Sequence, residues 1–183
     1  VNFLYGVPDF AVSIGAEYQG RLVAGAVVNV ARGRTYAAAA GQGATVTGPD
    51  GKAHPLQCAH TKNSALALVA TGFGYDAQRR AAQAELLTKL LPQVRDIRRI
   101  GAAALDLCRV AEDTVDAYFE HGINAWDFAA GAVIAREAGA VVHHPGFEKG
   151  SAQGELTWAA GADLAPAFEE LLAAHNATGA LRG

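Results

Sequence analysis

Apolar and polar positions alternate almost from the start of the chain. Between residues 10 and 19, Phe10, Val12, Ile14, Ala16 and Tyr18 share one face, while Ser13, Glu17 and Gln19 share the other. A period of two describes a strand buried on one side, so the apolar set is expected to face the core. Gly20-Arg21 turns the chain, and Leu22, Ala24, Ala26, Val28 and Val30 alternate again as a hairpin partner. After a second turn at Arg32-Gly33-Arg34, a third strand is expected from Thr35 to Ala40. Gly41-Gln42-Gly43 and Gly48-Pro49-Asp50-Gly51 carry turn chemistry, because glycine supplies positive φ and proline presets its own. The first third therefore reads as an antiparallel meander.

The rhythm then changes. Ala65 to Thr71 reads as a buried strand ending at Gly72-Phe73-Gly74, followed by a helix from about Gln78 to Leu91 that Pro92 stops. Its apolar stripe is Ala82, Leu86, Leu87, Leu90 and Leu91. Short strands and helices alternate thereafter. Strands are expected at Arg95 to Ile100, Val115 to Glu120, Val141 to His143 and Thr157 to Ala160. Helices are expected at Gly101 to Ala111, Asp127 to Ala138 (with Gly139 as its cap) and Leu164 to His175. This pattern predicts an α/β (α+β) architecture, with a helix-and-strand layer packed beside the meander. Two halves are expected, residues 1–92 and 93–183.

Composition narrows the function classes. With 51% hydrophobic and 18% charged residues, the chain can bury a sizeable core. A formal net charge of -3 argues against a nucleic-acid-binding surface, which needs a basic stripe. No apolar run approaches a membrane span, so no membrane partner is expected. The two cysteines, Cys58 and Cys108, form no C-x-x-C pair, which points to a reducing cytoplasm and to Cys108 as a small core residue. The chain contains no Met, even at position 1, so Val1 is expected to be a processed or truncated start.

Three segments could carry chemistry. Asp127, in Trp126-Asp127-Phe128-Ala129-Ala130-Gly131, stands at a helix start. It reads either as an N-cap or as a metal-ligating carboxylate at the mouth of a site. The small residues after it let another backbone come close. Arg98-Arg99-Ile100-Gly101-Ala102-Ala103 joins a strand to a helix through small residues. That is ordinary tight packing, or a place where an anion reaches unpaired N–H groups. Arg98 and Arg99 point to opposite faces of a strand, so at most one of them could steer a phosphate. Glu120 lies at the C-terminal end of a strand, where α/β layers gather ligands. It reads as a solvated loop charge or as an acceptor for vicinal sugar hydroxyls.

Taken together, these residues resemble a known family. The run from Arg99 through Gly101-Ala102-Ala103-Ala104-Leu105-Asp106-Leu107-Cys108, then Asp116-Ala117-Tyr118, Glu120, Gly122 and Trp126-Asp127 through Glu137-Ala138-Gly139, is similar to the C-terminal signature of inositol monophosphatases. Val1 to Pro8 and Ala11 to Ile14 resemble the segment that follows that family's D-P-x-D-G-T loop. Thr71-Gly72-Phe73-Gly74-Tyr75 resembles the middle of bacterial members.

The resemblance implies a layered αβαβα sandwich lacking its N-terminal part, usually dimeric, that hydrolyses phosphate monoesters with Mg²⁺. It implies Asp127 as a metal ligand that also touches substrate, Gly101, Ala102 and Ala103 as backbone lining the substrate, and Glu120 as the carboxylate for inositol hydroxyls. It further implies that the D-P-x-D-G-T loop and an upstream G-E-E ligand are absent, so phosphatase activity is expected to be impaired in this chain. Alternatives are a histidinol-phosphate or other polyol phosphate phosphatase, or a non-catalytic binding module. Histidine spacing supports no metal site; His143 and His144 face opposite ways on a strand. Neither Ser13 nor Ser64 stands in a G-x-S-x-G elbow. Trp126 and Trp158 are expected in the core.

Overall fold

The computed structural model describes residues 1–182. After a 3-10 turn at Asn2–Tyr5, the chain runs through β1 (Ala11–Tyr18), β2 (Arg21–Asn29), β3 (Arg34–Ala39), β4 (Ala44–Thr47) and β5 (Ala53–Pro55). These pair in sequence order as one antiparallel sheet. The expected meander is there, extended by β4 and β5 where the sequence showed only turns. Val46 and Ala44 of β4 join Val27 and Tyr36 in the core beneath the sheet.

The second part contains β6 (Leu68–Thr71), α1 (Ala77–Leu90), β7 (Asp96–Arg98), α2 (Ala103–Ala111), β8 (Ala117–His121), α3 (Ala125–Glu137), β9 (Ala140–His143), β10 (Leu156–Gly161) and α4 (Ala165–Ala174). Its five strands lie in the order β7-β6-β8-β10-β9. β6 runs parallel to β7 and β8, whereas β10 is antiparallel to β8 and β9. Helices α2 and α3 fill the space between the two sheets, and α1 and α4 cover the far face of the second. The layers are thus sheet, helices, sheet, helices. Both faces of β8 are buried: Ala117 and Phe119 pack toward α4, and Tyr118 toward α2 and α3. His143 stacks on Trp158 and His144 on Phe128, on opposite sides of the second sheet as expected.

One expectation is reversed. In β1 the face that meets the core is Ala11, Ser13 and Gly15, and Val12 and Ile14 point outward, 53% and 66% exposed. In β2 the inward positions are Gly25, Val27 and Asn29. The reason is α3, which crosses this sheet at very short range. A Cβ on Gly25 would lie 2.5 Å from the Ala130 carbonyl oxygen, and one on Gly15 would lie 2.7 Å from the Ala129 Cβ. Only bare backbone fits there, so the smaller set of side chains turns inward. On the other side of α3, a Cβ on Gly131 would meet Leu107 of α2 at 2.6 Å. The run Ala129-Ala130-Gly131 does let other backbone come close, on both sides of the helix. Two further details differ from expectation. Trp126 is 71% exposed, whereas Trp158 is buried, and Leu91 lies past the end of α1 with half its surface exposed. Cys58 and Cys108 are both buried free thiols.

Replacing Gly25 with alanine should destabilise the fold by about 1–3 kcal/mol through overpacking against backbone that cannot move aside. Gly48→Ala, whose Cβ would meet only Asp50 at ordinary contact distance, should change stability by less than about 0.5 kcal/mol. Urea denaturation of the two variants checks the contrast.

Candidate active site

The parallel strands β6, β7 and β8 end side by side, and each hands the chain to a tight connection. β6 runs into Gly72-Phe73-Gly74, β7 into Arg99-Ile100-Gly101, and β8 into Gly122-Ile123-Asn124. The starts of α2 and α3 follow the last two. Together they enclose a cavity of about 540 Å³. The five residues singled out from the sequence, Gly101, Ala102, Ala103, Glu120 and Asp127, all line it. This is the strand-end crevice where α/β sheets take ligands.

On one wall the geometry exposes backbone. Ala102 precedes α2 without any side-chain cap; the Leu105 N–H turns back to the Ala102 carbonyl at 2.9 Å, which leaves the N–H groups of Ala103 and Ala104 and the positive end of the helix dipole for an anion. Gly101 has φ +86, and a Cβ there would overlap the Arg99 guanidinium. The loop is pinned by Asn2, whose side-chain amide donates to the carbonyls of Ile100 at 3.0 Å and Asp9 at 2.7 Å. Arg99 lines the cavity, lies over the Phe73 ring at 5.7 Å, and forms no ion pair among the described residues. Arg98 turns the other way and pairs with Asp96 at 2.5 Å. Of the two adjacent arginines, one faces the site, as the strand period required.

Glu120 is not a solvated loop charge. It is half-buried within β8, and its Oε2 accepts a hydrogen bond from the Tyr118 hydroxyl at 2.9 Å. Gly72 stands against it; a Cβ on Gly72 would overlap the carboxylate. Burial pushes the Glu120 carboxyl up to about 7, helped by the negative Asp127 and opposed by the Tyr118 hydrogen bond and Arg99.

Asp127 corrects the N-cap expectation. Helix α3 begins two residues earlier, at Ala125, with Asn124 as its N-cap. Asp127 is the third helical residue, and its Oδ2 accepts from the Asn124 backbone N–H at 2.9 Å, the reciprocal half of a capping box. Its Oδ1 accepts no hydrogen bond among the described residues, and the residue lines the cavity. One oxygen therefore seals the helix while the carboxylate stands on the cavity wall. Among the described residues no group of three His, Cys, Asp or Glu side chains could hold a metal ion. Mg²⁺ commonly takes one or two carboxylates plus waters and substrate phosphates. Asp127 could supply one such ligand, but these residues do not fit a two-metal centre.

The sequence reading missed two residues near the site. Arg79 is buried at the cavity edge, its Nε donating to the Leu181 carbonyl at 2.8 Å. Asp106, in the middle of α2, is fully buried; Oδ1 lies 3.3 Å from Arg109 Nη1, and Oδ2 has no partner among the described residues. Burial raises its carboxyl to about 7 against the pull of Arg109. A charged residue between Leu105 and Leu107 in a helix without an exposed side was the available signal.

Two sheets interleaved with helices, with the site at the ends of the parallel strands, define an α/β sandwich of the sugar-phosphatase type. The chain belongs to the inositol monophosphatase family, whose model matches residues 1–179. It is 56% identical over 142 residues to inositol-1-monophosphatase of Mycobacterium bovis, covering 78% of this chain and 49% of the relative. It is 39% identical over 142 residues to Nus factor SuhB of Pasteurella multocida, covering 77% of this chain and 51% of that protein. The chain thus spans about half the length of these curated relatives. Among solved structures, SuhB of Mycobacterium tuberculosis superposes with a TM-score of 0.88 at 47% identity, over 97% of this chain and 69% of that one. The inositol monophosphatase of Anabaena gives 0.81 at 30% identity, over 94% and 69%.

The raised carboxyl of Glu120 has a consequence for stability. A free glutamate ionises near 4.5, so between about pH 4.5 and 7 the folded chain holds a proton that the unfolded chain has released. Stability contributed by this group is therefore full below pH 4.5 and declines as the pH rises through 7. Glu120→Gln should leave stability unchanged at pH 4.5 and raise it at pH 8, by roughly 1–2 kcal/mol after discounting for partial exposure. Urea midpoints of both proteins at the two pH values test this.

Proposed function

We propose that the cavity binds the phosphate monoester of inositol or a similar polyol, and that the intact protein hydrolyses it with Mg²⁺ to the free polyol and phosphate. The observation that carries this reading is the juxtaposition of three features in one cavity. They are an uncapped α2 N-terminus with Arg99 beside it for the phosphoryl group, Glu120 for the polyol hydroxyls, and Asp127 for a cation. The relatives named inositol-1-monophosphatase support the substrate assignment.

Each residue has a task that its chemistry suits. The first-turn amides of α2 and the guanidinium of Arg99 donate to phosphoryl oxygens and hold them in one orientation. An ionised Glu120 accepts from two adjacent hydroxyls, and its hydrogen bond to Tyr118 fixes the carboxylate in place. Asp127, braced by the Asn124 N–H, presents one oxygen of a fixed carboxylate. Magnesium, when bound, would neutralise the phosphoryl charge and lower the pKa of an attacking water. With a single carboxylate of this kind, the 183-residue chain binds substrate but turns it over slowly. A binding role without catalysis is the second reading, favoured by that lone carboxylate and by relatives that carry the name Nus factor SuhB. The protein as a whole is proposed to act in the cytoplasm as a homodimer.

Calorimetric titration with inositol 1-phosphate in the presence of Mg²⁺ tests the site. Glu120→Gln should weaken inositol 1-phosphate about tenfold, the equivalent of losing a hydrogen bond to a charged group, while leaving inorganic phosphate unchanged. Equal loss for both ligands would remove Glu120 from polyol recognition. Phosphate release by this chain should fall at least a hundredfold below that of the full-length protein. Equal rates would overturn the single-carboxylate argument. Preference of the full-length protein for histidinol phosphate would reject the inositol assignment.

A further inference from the structure

A second, smaller cavity of about 220 Å³ lies between the first sheet and the C-terminal half of α2. Its walls include Arg32, Arg34 and Arg109, together with Asn29, Tyr36 and Glu112. Three guanidinium groups thus face one carboxylate. None of these residues belongs to the substrate cavity, which touches the opposite end of α2 at Ala102 and Ala103.

The hydrogen-bond inventory shows what is left over. Both oxygens of Glu112 are occupied: Oε1 by Arg34 Nη1 at 2.7 Å, and Oε2 by the Tyr36 hydroxyl at 2.5 Å. Asp9, behind the cavity, takes Arg109 at 2.6 Å on one oxygen and Arg32 at 3.5 Å on the other. Arg109 also reaches Asp106 at 3.3 Å. Every carboxylate oxygen here but the fully buried Asp106 Oδ2 is engaged, whereas several arginine donors remain. Each arginine carries five N–H groups. Among the described residues Arg32 forms one long ion pair, and Arg34 bonds through a single nitrogen. Asn29 is 3% exposed; its Oδ1 accepts from the Arg32 backbone N–H at 3.1 Å, and its Nδ2 donates to nothing among the described residues. That nitrogen is not sealed from solvent, so it stays open to a ligand or water in the cavity that Asn29 lines.

We propose that this cavity is a binding site for a free tetrahedral dianion of the size of inorganic phosphate, held by Arg32, Arg34 and the Asn29 amide. The chemistry selects an anion because the spare groups are all donors and the net charge of the walls is positive. The volume selects a small one: at about 30 Å³ per water molecule, the space equals only a handful of waters. Two guanidiniums and a neutral amide form the planar and single donors that oxyanions take. The site rests on none of the residues assigned to the polyol phosphate, so the two assignments can fail independently.

The test is a calorimetric titration of inorganic phosphate into the 183-residue chain in metal-free, sulfate-free buffer at low ionic strength. Two saturable sites are expected, because the substrate cavity also takes phosphate through Arg99 and the α2 amides. Arg99→Gln should weaken that one and leave a single site, whose dissociation constant Asp127→Asn does not change. In the Arg99→Gln chain, Arg32→Gln, at a side chain that is half exposed and tolerant of change, should weaken the remaining site at least tenfold. Independently of any variant, the Asn29 side-chain amide resonances should shift as phosphate saturates the wild-type chain. Absence of saturable binding, or saturation without movement of those resonances, would overturn the proposal. So would binding that Arg99→Gln abolishes and Arg32→Gln preserves, since that places the anion in the substrate cavity.

Discussion

Everything in this molecule is arranged around the closeness of α3 to its neighbours. The helix runs between the first sheet and α2 at distances where a single methyl group would collide with backbone on the sheet side and with Leu107 on the other. Gly15 and Gly25 open one side, and Gly131 the other. Close approach of bare backbone maximises dispersion contacts and excludes water, but it leaves no freedom for the helix to slide. A helix that cannot slide has a fixed N-terminus, and that N-terminus carries Asp127.

The same constraint explains the inverted face of β1. Val12 and Ile14 would deliver more apolar burial if they pointed inward, yet they point out because α3 occupies the space their side chains would need. Val12 lies opposite Val28 and Ile14 opposite Ala26, so the outer face of the sheet presents a row of small and branched apolar groups. Burial of large side chains is therefore concentrated in the other layers, where Phe119, Trp158 and Phe168 pack between the second sheet and α4, and Phe128 packs on the opposite face of that sheet.

Electrostatics at the site follow from which charges the fold buries. Glu120 and Asp106 lie in poorly solvated surroundings, and both carboxyls are pushed up to about 7. Asp127, by contrast, is held by a backbone N–H in the first turn of its helix. Two carboxylates on one cavity wall thus differ in character. One Asp127 oxygen seals its helix, while Glu120 is drawn toward its charged form by the Tyr118 hydroxyl and the nearby Arg99. The site holds its groups ready at a cost in stability, as strained or desolvated functional groups commonly do.

The amino-acid sequence alone determined the order and type of most elements, because alternation and helical spacing are local properties of the chain. It also singled out Gly101 with Ala102 and Ala103, Glu120 and Asp127, which the fold gathers around one cavity, since strand ends, helix starts and small residues are written locally, and since they match a family pattern. What the sequence could not decide was which of two apolar faces turns inward. Val12 and Ile14 lost that competition to Ser13 and Gly15 through the proximity of a helix more than a hundred residues away in the chain. Nor could it show that Trp126 is exposed, that Asp127 is the third residue of its helix, or that Asp106 is buried against Arg109, which also pairs with Asp9. Those facts depend on which distant segments share a space, and only the packing of the folded chain settles that.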